Sequence, residues 1–186
     1  MKNMTLKNIT AACHGTFHGD SSFLKKEITG VAIDSRKATS GFLFVPLKGA
    51  RVDGHTFIPQ IIEQGALATL TEEDPSSLTC PCIHVESCEK ALRDIAAFYR
   101  MQLDIKVVGI TGSVGKTSTK EVIASVLKEK YRTLKTQGNF NNELGLPLTV
   151  FRLRDEDEIA VLEMGISDFG EMSRLAKVAR PETGVI

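Results

Sequence analysis

Neither sign of charge is in excess in this 186-residue chain: lysine plus arginine and aspartate plus glutamate each number 23, and the formal net charge is zero. A chain without a net field has no general attraction for nucleic acid or an anionic membrane, so any anionic ligand must be held by local groups. Long hydrophobic runs are missing too. No stretch approaches the ~20 consecutive apolar residues that span a bilayer, and the opening MKNMTLKNIT lacks the apolar segment of a signal peptide. The expectation is a cytoplasmic protein with neither a membrane nor a nucleic-acid partner. Cysteine is sparse, and Cys13, Cys80, Cys82 and Cys88 follow no disulfide-rich spacing, in agreement with a reducing compartment. Paired Cys-x-x-Cys knuckles are absent as well. Cys80, Cys82, His84 and Cys88 do crowd together, and a strand would put Cys82 and His84 on one face, as metal ligands could be. Buried thiols beside a strand are the plainer reading. No internal repeat or low-complexity run is present.

What is there is 42% apolar residues, enough for one sizeable core or two small domains. Short β-branched stretches alternate with helical patterns, which points to α/β architecture. The spacing predicts a helix from Leu6 to Cys13 with Thr5 as N-cap, strands at Val31–Ile33 and Phe42–Leu47, a helix from Phe57 to Gln64, and strands at Leu67–Leu70 and Ile83–Val85. A helix from Glu89 to Met101 follows, with Ala91, Leu92, Ile95, Ala96 and Tyr99 as its apolar stripe. Near Leu103 or Asp104 the organisation changes, so residues 1–104 and 105–186 are expected to form separate domains. In the second, Lys106–Ile110 is a strand that runs through a glycine-rich turn into an amphipathic helix with Ile123, Val126 and Leu127 on one face. Tyr131–Lys135 and Ile159–Glu163 read as later strands, Glu171–Val178 as a helix and Gly184–Ile186 as a strand. Ending on an apolar strand suggests a truncated chain, since a parallel sheet needs helices over both faces.

The segment Val107-Val108-Gly109-Ile110-Thr111-Gly112-Ser113-Val114-Gly115-Lys116-Thr117-Ser118 is the most informative. A strand that feeds Gly-x-x-Gly-Lys-Thr and then a helix surrounds an anion with backbone N–H groups and a helix N-terminus. Lys116 can reach the β and γ phosphates, and the Thr117 hydroxyl can bind Mg²⁺. The pattern marks a nucleoside triphosphate site, contributed by Thr111, Gly112, Ser113, Val114, Gly115, Lys116, Thr117 and Ser118. It departs from the general phosphate-loop formula in placing Ile110 where the first glycine belongs. A glycine turn that merely starts a helix is the alternative, and it leaves the lysine unexplained.

Two further segments carry chemistry. Residues 138–149, Gly-Asn-Phe-Asn-Asn-Glu-Leu-Gly-Leu-Pro-Leu-Thr, are too polar and glycine-rich for a core element, and they read as a ligand-binding loop or as asparagines capping turns. Val161-Leu162-Glu163-Met164-Gly165 is a buried strand ending in a carboxylate, which needs a partner. A Mg²⁺ ion shared with Thr117 would be one, and a salt bridge to Lys116 another. In the first hundred residues Asp34-Ser35-Arg36, Gly41-Phe42-Leu43-Phe44, Asp53-Gly54-His55-x-Phe57 and Gly65-Ala66 are each weak turn-like signals.

Taken together these segments resemble the Mur ligase family. Thr-Gly-Ser-x-Gly-Lys-Thr is similar to the variant phosphate loop of Mur ligases and folylpolyglutamate synthases, although family members commonly carry Asn where this chain has Val114. The Asn-Asn-Glu-x-Gly-x-Pro and Glu-Met-Gly segments resemble the branch that adds D-alanyl-D-alanine, and the N-terminal set resembles a uridine-nucleotide-binding domain. The resemblance covers about Ile28 to the end. It implies a small α/β uridine-nucleotide-binding domain followed by part of a phosphate-loop, parallel-sheet ATPase domain. It implies a monomeric, ATP- and Mg²⁺-dependent ligase whose substrates are UDP-MurNAc-tripeptide and D-Ala-D-Ala. In that reading Lys116 and Glu163 serve catalysis, Thr117 and Glu163 the metal, and Asn139, Asn141 and Asn142 the muramoyl substrate, with Ser35, Arg36, Asp53, Gly54 and His55 at the uridine diphosphate. His55 has an alternative, as a helix N-terminal residue without a ligand role. Family members use further catalytic groups and a third domain beyond these segments, so the chain alone is expected to bind the uridine nucleotide at best and to lack ligase activity. The sister ligase that adds the diamino acid, a folate-type ligase and a nucleotide-switch module are the competing readings. The last predicts an Asn-Lys-x-Asp segment, which the chain lacks.

Overall fold

A computed structural model describes residues 1–49 and 52–186, and the chain folds as two compact units, Met1–Ile95 and Ala96–Ile186. The division falls inside helix α3 (Cys88–Met101) rather than at the turn after it. The reason lies in the last turns of that helix: the Tyr99 hydroxyl donates to the Leu153 carbonyl at 2.6 Å, and the Arg100 guanidinium donates to the carbonyls of Leu103, Ile105 and Ala179, all in the second unit.

The first unit opens with α1 (Leu6–Ala12), whose N-cap Thr5 accepts from the Asn8 N–H as anticipated. It continues with β1 (Thr16–His18), β2 (Gly30–Ala32), β3 (Phe42–Phe44), α2 (Ile58–Glu63), β4 (Ala68–Thr71) and β5 (Cys82–His84). The sheet order is β1-β5-β4-β3-β2, parallel except for β1, which runs antiparallel to β5. β3 is shorter than the run Phe42–Leu47 suggests, because Pro46 has no N–H to give a ladder. Under the sheet Ala32, Ala38, Phe44, Ile58, Ile61 and Ala66 form the core, so α2 is held by its two buried isoleucines rather than by propensity.

The second unit contains β6 (Lys106–Ile110), α4 (Lys116–Lys128), β7 (Thr133–Lys135), α5 (Gly145–Val150), β8 (Ile159–Glu163), α6 (Glu171–Ala179) and β9 (Thr183–Val185). Its four strands are all parallel, in the order β7-β8-β6-β9. Every residue of β8 is buried, as expected of a central parallel strand covered on both faces. Its register with β6 pairs Lys106 with Ile159 and Ile110 with Glu163, so the carboxylate at the end of β8 lies level with the start of the glycine-rich turn.

Two expectations are corrected here. The inward face of α4 consists of buried Lys120 and Ala124 with Ile123 and Leu127 packed beside them, while Val126 is 67% exposed. Lys120, Ala124 and Leu127 follow the i, i+4, i+7 rhythm that keeps one face toward the sheet, and Val126 lies off it. The second half of the segment 138–149 is no loop but the buried helix α5. The Asn142 carboxamide oxygen accepts from the N–H groups of Gly145 and Leu144, Pro147 suits the first helical turn, and the Thr149 hydroxyl is satisfied by the Gly145 carbonyl. The polar residues thus meet their needs within the segment, and the apolar ones are free to enter the core.

Cys13, Cys82 and Cys88 are buried and Cys80 half-buried; burial pushes the Cys82 thiol up to about 11 and the Cys88 thiol higher still. Cys80, Cys82, His84 and Cys88 do not converge as ligands; among the described residues the group that does is Asp53, His55 and Glu73. No described helix is long and apolar enough to cross a membrane.

Candidate functional site

In a parallel sheet ligands are met beyond the carboxyl ends of the strands, and there the chain places its glycine-rich turn. The Thr111 N–H completes the ladder by donating to the Val185 carbonyl at 2.9 Å. The backbone then turns through Gly112 at φ 133° and Gly115 at φ 82°, values that L side chains rarely adopt, and α4 begins at Lys116. Ser113, Val114 and Gly115 are exposed, Val114 at 91%, and a Cβ on Gly115 would meet nothing within 4 Å. No side chain caps the start of α4, so its first N–H groups face the hollow of the turn. Lys116 bends back over the turn and donates to the Gly112 carbonyl at 2.7 Å. The Thr111 hydroxyl is buried without a hydrogen-bond partner among the described residues. An open cradle of amides, an ammonium group folded across it and an unspent hydroxyl fit a phosphate chain.

Glu163 closes the site from β8 and is 2% exposed. The Thr117 hydroxyl reaches its two oxygens at 3.1 and 3.3 Å, and the Asn141 carboxamide donates to Oε1 at 2.8 Å. Thr136, at the end of β7, accepts from the Glu163 N–H at 2.9 Å through its hydroxyl. The cation beside this carboxylate is Lys120, with Nζ 3.4 Å from Oε2, and not Lys116 as one of the two sequence readings had it. Lys116 sits at the mouth of the turn; Lys120 lies one turn deeper on the face of α4 that covers β8. Sequence reasoning passed over both Lys120 and Thr136. A signal for Lys120 did exist, since it lies three residues after Thr117 and so shares that residue's helical face. A hydroxyl and a carboxylate side by side at the end of the phosphate turn are hard oxygen donors of the kind Mg²⁺ takes while keeping several waters.

The three asparagines separate by role. Asn141 belongs to the Glu163 cluster, and its backbone carbonyl also accepts from the Gly165 N–H at 2.8 Å. Asn142 spends its carboxamide oxygen on the start of α5. Asn139 is exposed on the turn before them. The neighbouring Glu143 is ion-paired with Arg174 from α6.

In the first unit, Arg36 lies 86% exposed in a short 3-10 turn after Asp34, its guanidinium folded onto the Asp34 carboxylate through Nε and Nη2. That two-pronged bond, with the Arg36 N–H, holds the Asp34 carboxyl down at about 2. Ser35 opens the same turn. Asp53 caps the next 3-10 turn, accepting from the His55 N–H at 3.0 Å and facing Nδ1 at 2.6 Å; these bonds lower its carboxyl below the usual range. His55 is buried, and its Nε2 accepts from the Glu72 N–H at 3.1 Å. With Nδ1 against Asp53 and Nε2 against the Glu72 N–H, both ring nitrogens have partners within the first unit. Gly54 is required by close approach, since a Cβ there would lie 2.7 Å from the Leu47 nitrogen.

A concavity of about 710 Å³ lined by Arg100, Leu103, Arg180 and Glu182 lies at the other end of the second sheet, by the amino ends of β6 and β9. Its buried Arg100 is committed to three backbone carbonyls and 3.5 Å from Glu182, which makes it a structural tie rather than a ligand group. The open cradle at the carboxyl ends, whose amides and ammonium group are not so committed, is therefore the candidate site.

Comparison with known proteins matches both halves of the chain to one family. Residues 27–100 match the model described as Mur ligase family, catalytic domain, and residues 110–186 match the Mur ligase middle domain. A UDP-N-acetylmuramoyl-tripeptide--D-alanyl-D-alanine ligase from Bacillus subtilis is 44% identical over 190 aligned residues, covering 100% of this chain and 41% of the relative. The solved UDP-N-acetylmuramoylalanyl-D-glutamyl-2,6-diaminopimelate--D-alanyl-D-alanyl ligase from Acinetobacter baumannii superposes with a TM-score of 0.88 at 35% identity, over 97% of this chain and 40% of that one. A MurF ligase from Thermotoga maritima in complex with ADP superposes with a TM-score of 0.75 at 38% identity, over 82% and 35%. The chain thus spans about two fifths of the length of these relatives.

Proposed function

The chain belongs to the Mur ligase family, and from that premise we propose that its protein is an ATP-dependent amide ligase of peptidoglycan precursor synthesis, joining D-Ala-D-Ala to UDP-MurNAc-tripeptide. A carboxylate does not react with an amine, so the terminal carboxylate of the tripeptide has first to be phosphorylated by ATP. The resulting acyl phosphate is what the amine of the dipeptide attacks. Charge builds on the phosphoryl group during transfer, and preorganised donors are the main means of stabilising it. The amides of 112–117 and the Lys116 ammonium supply those donors. Mg²⁺ would be held by Thr117 and Glu163 and would supply further positive charge at the phosphates; Asn141 keeps the Glu163 carboxylate aimed.

The observation that carries this reading is the β6–β8 register, which sets Glu163 beside the phosphate turn with the Thr117 hydroxyl 3.1 Å away. The complex of the Thermotoga maritima ligase with ADP supports an adenine nucleotide as a ligand. Residues 1–104 we assign to the uridine-nucleotide substrate and 105–186 to ATP. Ser35, Arg36 and the exposed rim of Asp53 remain substrate contacts in this proposal, while His55 acts by fixing the turn around Gly54. Asn139 and Asn141 are retained for the muramoyl peptide, and Asn142 positions α5. A cytoplasmic monomer without membrane or nucleic-acid partners completes the assignment.

Separate titrations of the chain with ATP plus magnesium and with UDP-MurNAc-tripeptide test it. Because the phosphate turn lies complete and open within the chain, saturable binding of both is expected rather than of the uridine nucleotide alone, the first lost in Lys116→Ala. Binding of neither would overturn the function, and binding of a folate substrate in place of the muramoyl peptide would redirect it.

A further inference from the structure

A buried ammonium group is costly unless partners compensate it, and Lys120 is 1% exposed at its side chain. Its Nζ lies 3.4 Å from Glu163 Oε2 and 3.4 Å from Glu121 Oε1. Glu121, nearly half exposed, is itself shared with Lys135 on β7. Lys135, Glu121, Lys120 and Glu163 therefore alternate in sign and sum to zero. The outer pair is wet and screened, whereas Lys120 and Glu163 are both enclosed, so their mutual charge acts at low effective dielectric.

We propose that Lys120 is a positioning residue that keeps the Thr117–Glu163 site closed to a divalent cation until the nucleotide arrives. The inference rests on the reading of Thr117 and Glu163 as the metal site. A cation that settles on Glu163 alone adds two positive charges to a set already neutral, beside an ammonium group too deeply packed to swing into water. The Thr117 hydroxyl can offer a lone pair to the metal while its hydrogen stays on Glu163, so the charge balance rather than this bond sets the cost. The phosphates of a nucleotide in the adjoining cradle supply the negative charge that restores the balance. Lys120 and Asn141 meanwhile hold the carboxylate in place, so the metal would find its ligand already oriented. Metal and nucleotide thus enter as a pair.

The test is Mn²⁺ binding, followed by the electron paramagnetic resonance signal of the free ion, with and without ADP. The variants are Lys120→Met, Lys120→Arg and Glu163→Gln in the 186-residue chain. Without nucleotide, the wild type is expected to bind Mn²⁺ weakly and Lys120→Met about tenfold more tightly, because a unit charge on the same carboxylate is gone. Lys120→Arg, which keeps the charge, should match the wild type. By linkage, the factor by which Mn²⁺ tightens ADP should be smaller in Lys120→Met than in the wild type. If the methionine variant does not fold, Lys120→Gln carries the same expectation while leaving Glu163 a donor. Nucleotide-free Mn²⁺ affinity unchanged by the neutral substitution, or raised equally by Lys120→Arg, would overturn the proposal with the metal site intact. A wild type whose ADP-dependent Mn²⁺ binding persists in Glu163→Gln would overturn the metal site and the proposal together.

Discussion

Replacing Gly115 by alanine separates folding from ligand binding, and the structure supplies both magnitudes. Gly115 has φ 82°, so an alanine pays the left-handed penalty of about 1 kcal/mol. Nothing lies within 4 Å of the added Cβ, so no steric cost follows. For a cooperative unit of under a hundred residues this lowers Tm by roughly 4–8 °C. The methyl group, however, stands in the cradle where phosphate oxygens have to approach the amides. Losing two charge-assisted hydrogen bonds there weakens MgATP binding on the order of a hundredfold. Gly54→Ala is the counterpart. Its Cβ meets the Leu47 nitrogen at 2.7 Å and the Leu47 oxygen at 2.9 Å, both backbone, so the 3-10 turn must shift at a cost of about 1–3 kcal/mol. That change lies in the first unit and should leave ATP affinity alone. Isothermal titration calorimetry with MgATP, beside differential scanning calorimetry of both variants, decides the matter. If G115A binds ATP within a few-fold of the wild type, the cradle does not hold the phosphates and the reasoning fails.

The remaining expectations concern groups whose bonds are on view. Thr111→Val removes a buried hydroxyl without a partner among the described residues, so it should stabilise the chain by about 1 kcal/mol in urea unfolding while MgATP binding weakens; unchanged affinity would make the orphan hydroxyl a packing feature only. Arg100→Met deprives the carbonyls of Leu103, Ile105 and Ala179 of a donor and should cost about 3 kcal/mol in urea, with ATP affinity at the opposite strand ends preserved; a loss below about 1 kcal/mol would refute its role as a tie. In Arg36→Gln the Asp34 carboxyl should climb from about 2 toward the ordinary carboxylate range, followed by carbon-detected NMR titration. The sign follows from a folded value below the unfolded one: any stability that Asp34 contributes is present above the ordinary range and fades as pH falls toward 2. A titration unmoved by the substitution would mean that the guanidinium does not rest on Asp34 in solution.

Much of the site was legible because its signals are local. Val107–Ile110 is β-branched and short, Gly112 and Gly115 stand where only glycine turns easily, and Lys116-Thr117 follow at once, so strand, turn and helix start needed no distant partner. Glu163 at the end of an unbroken apolar run was conspicuous for the same reason: a charge that no neighbour in sequence could satisfy. What satisfies it was not legible, because that depends on which face of α4 packs on β8. Packing selected Lys120 over Lys116, turned Val126 outward and brought Asn141 to within 2.8 Å of the carboxylate. The same holds for α5, whose polar residues conceal a buried helix by bonding to one another, and for His55, whose ring is consumed by Asp53 and by the N–H of Glu72, a residue seventeen positions away. The kind of chemistry was thus determined by residues adjacent along the chain, whereas the pairing of charges was decided only by strand register and helix rotation, since Coulomb and hydrogen-bond energies depend on distances in space that no local pattern contains.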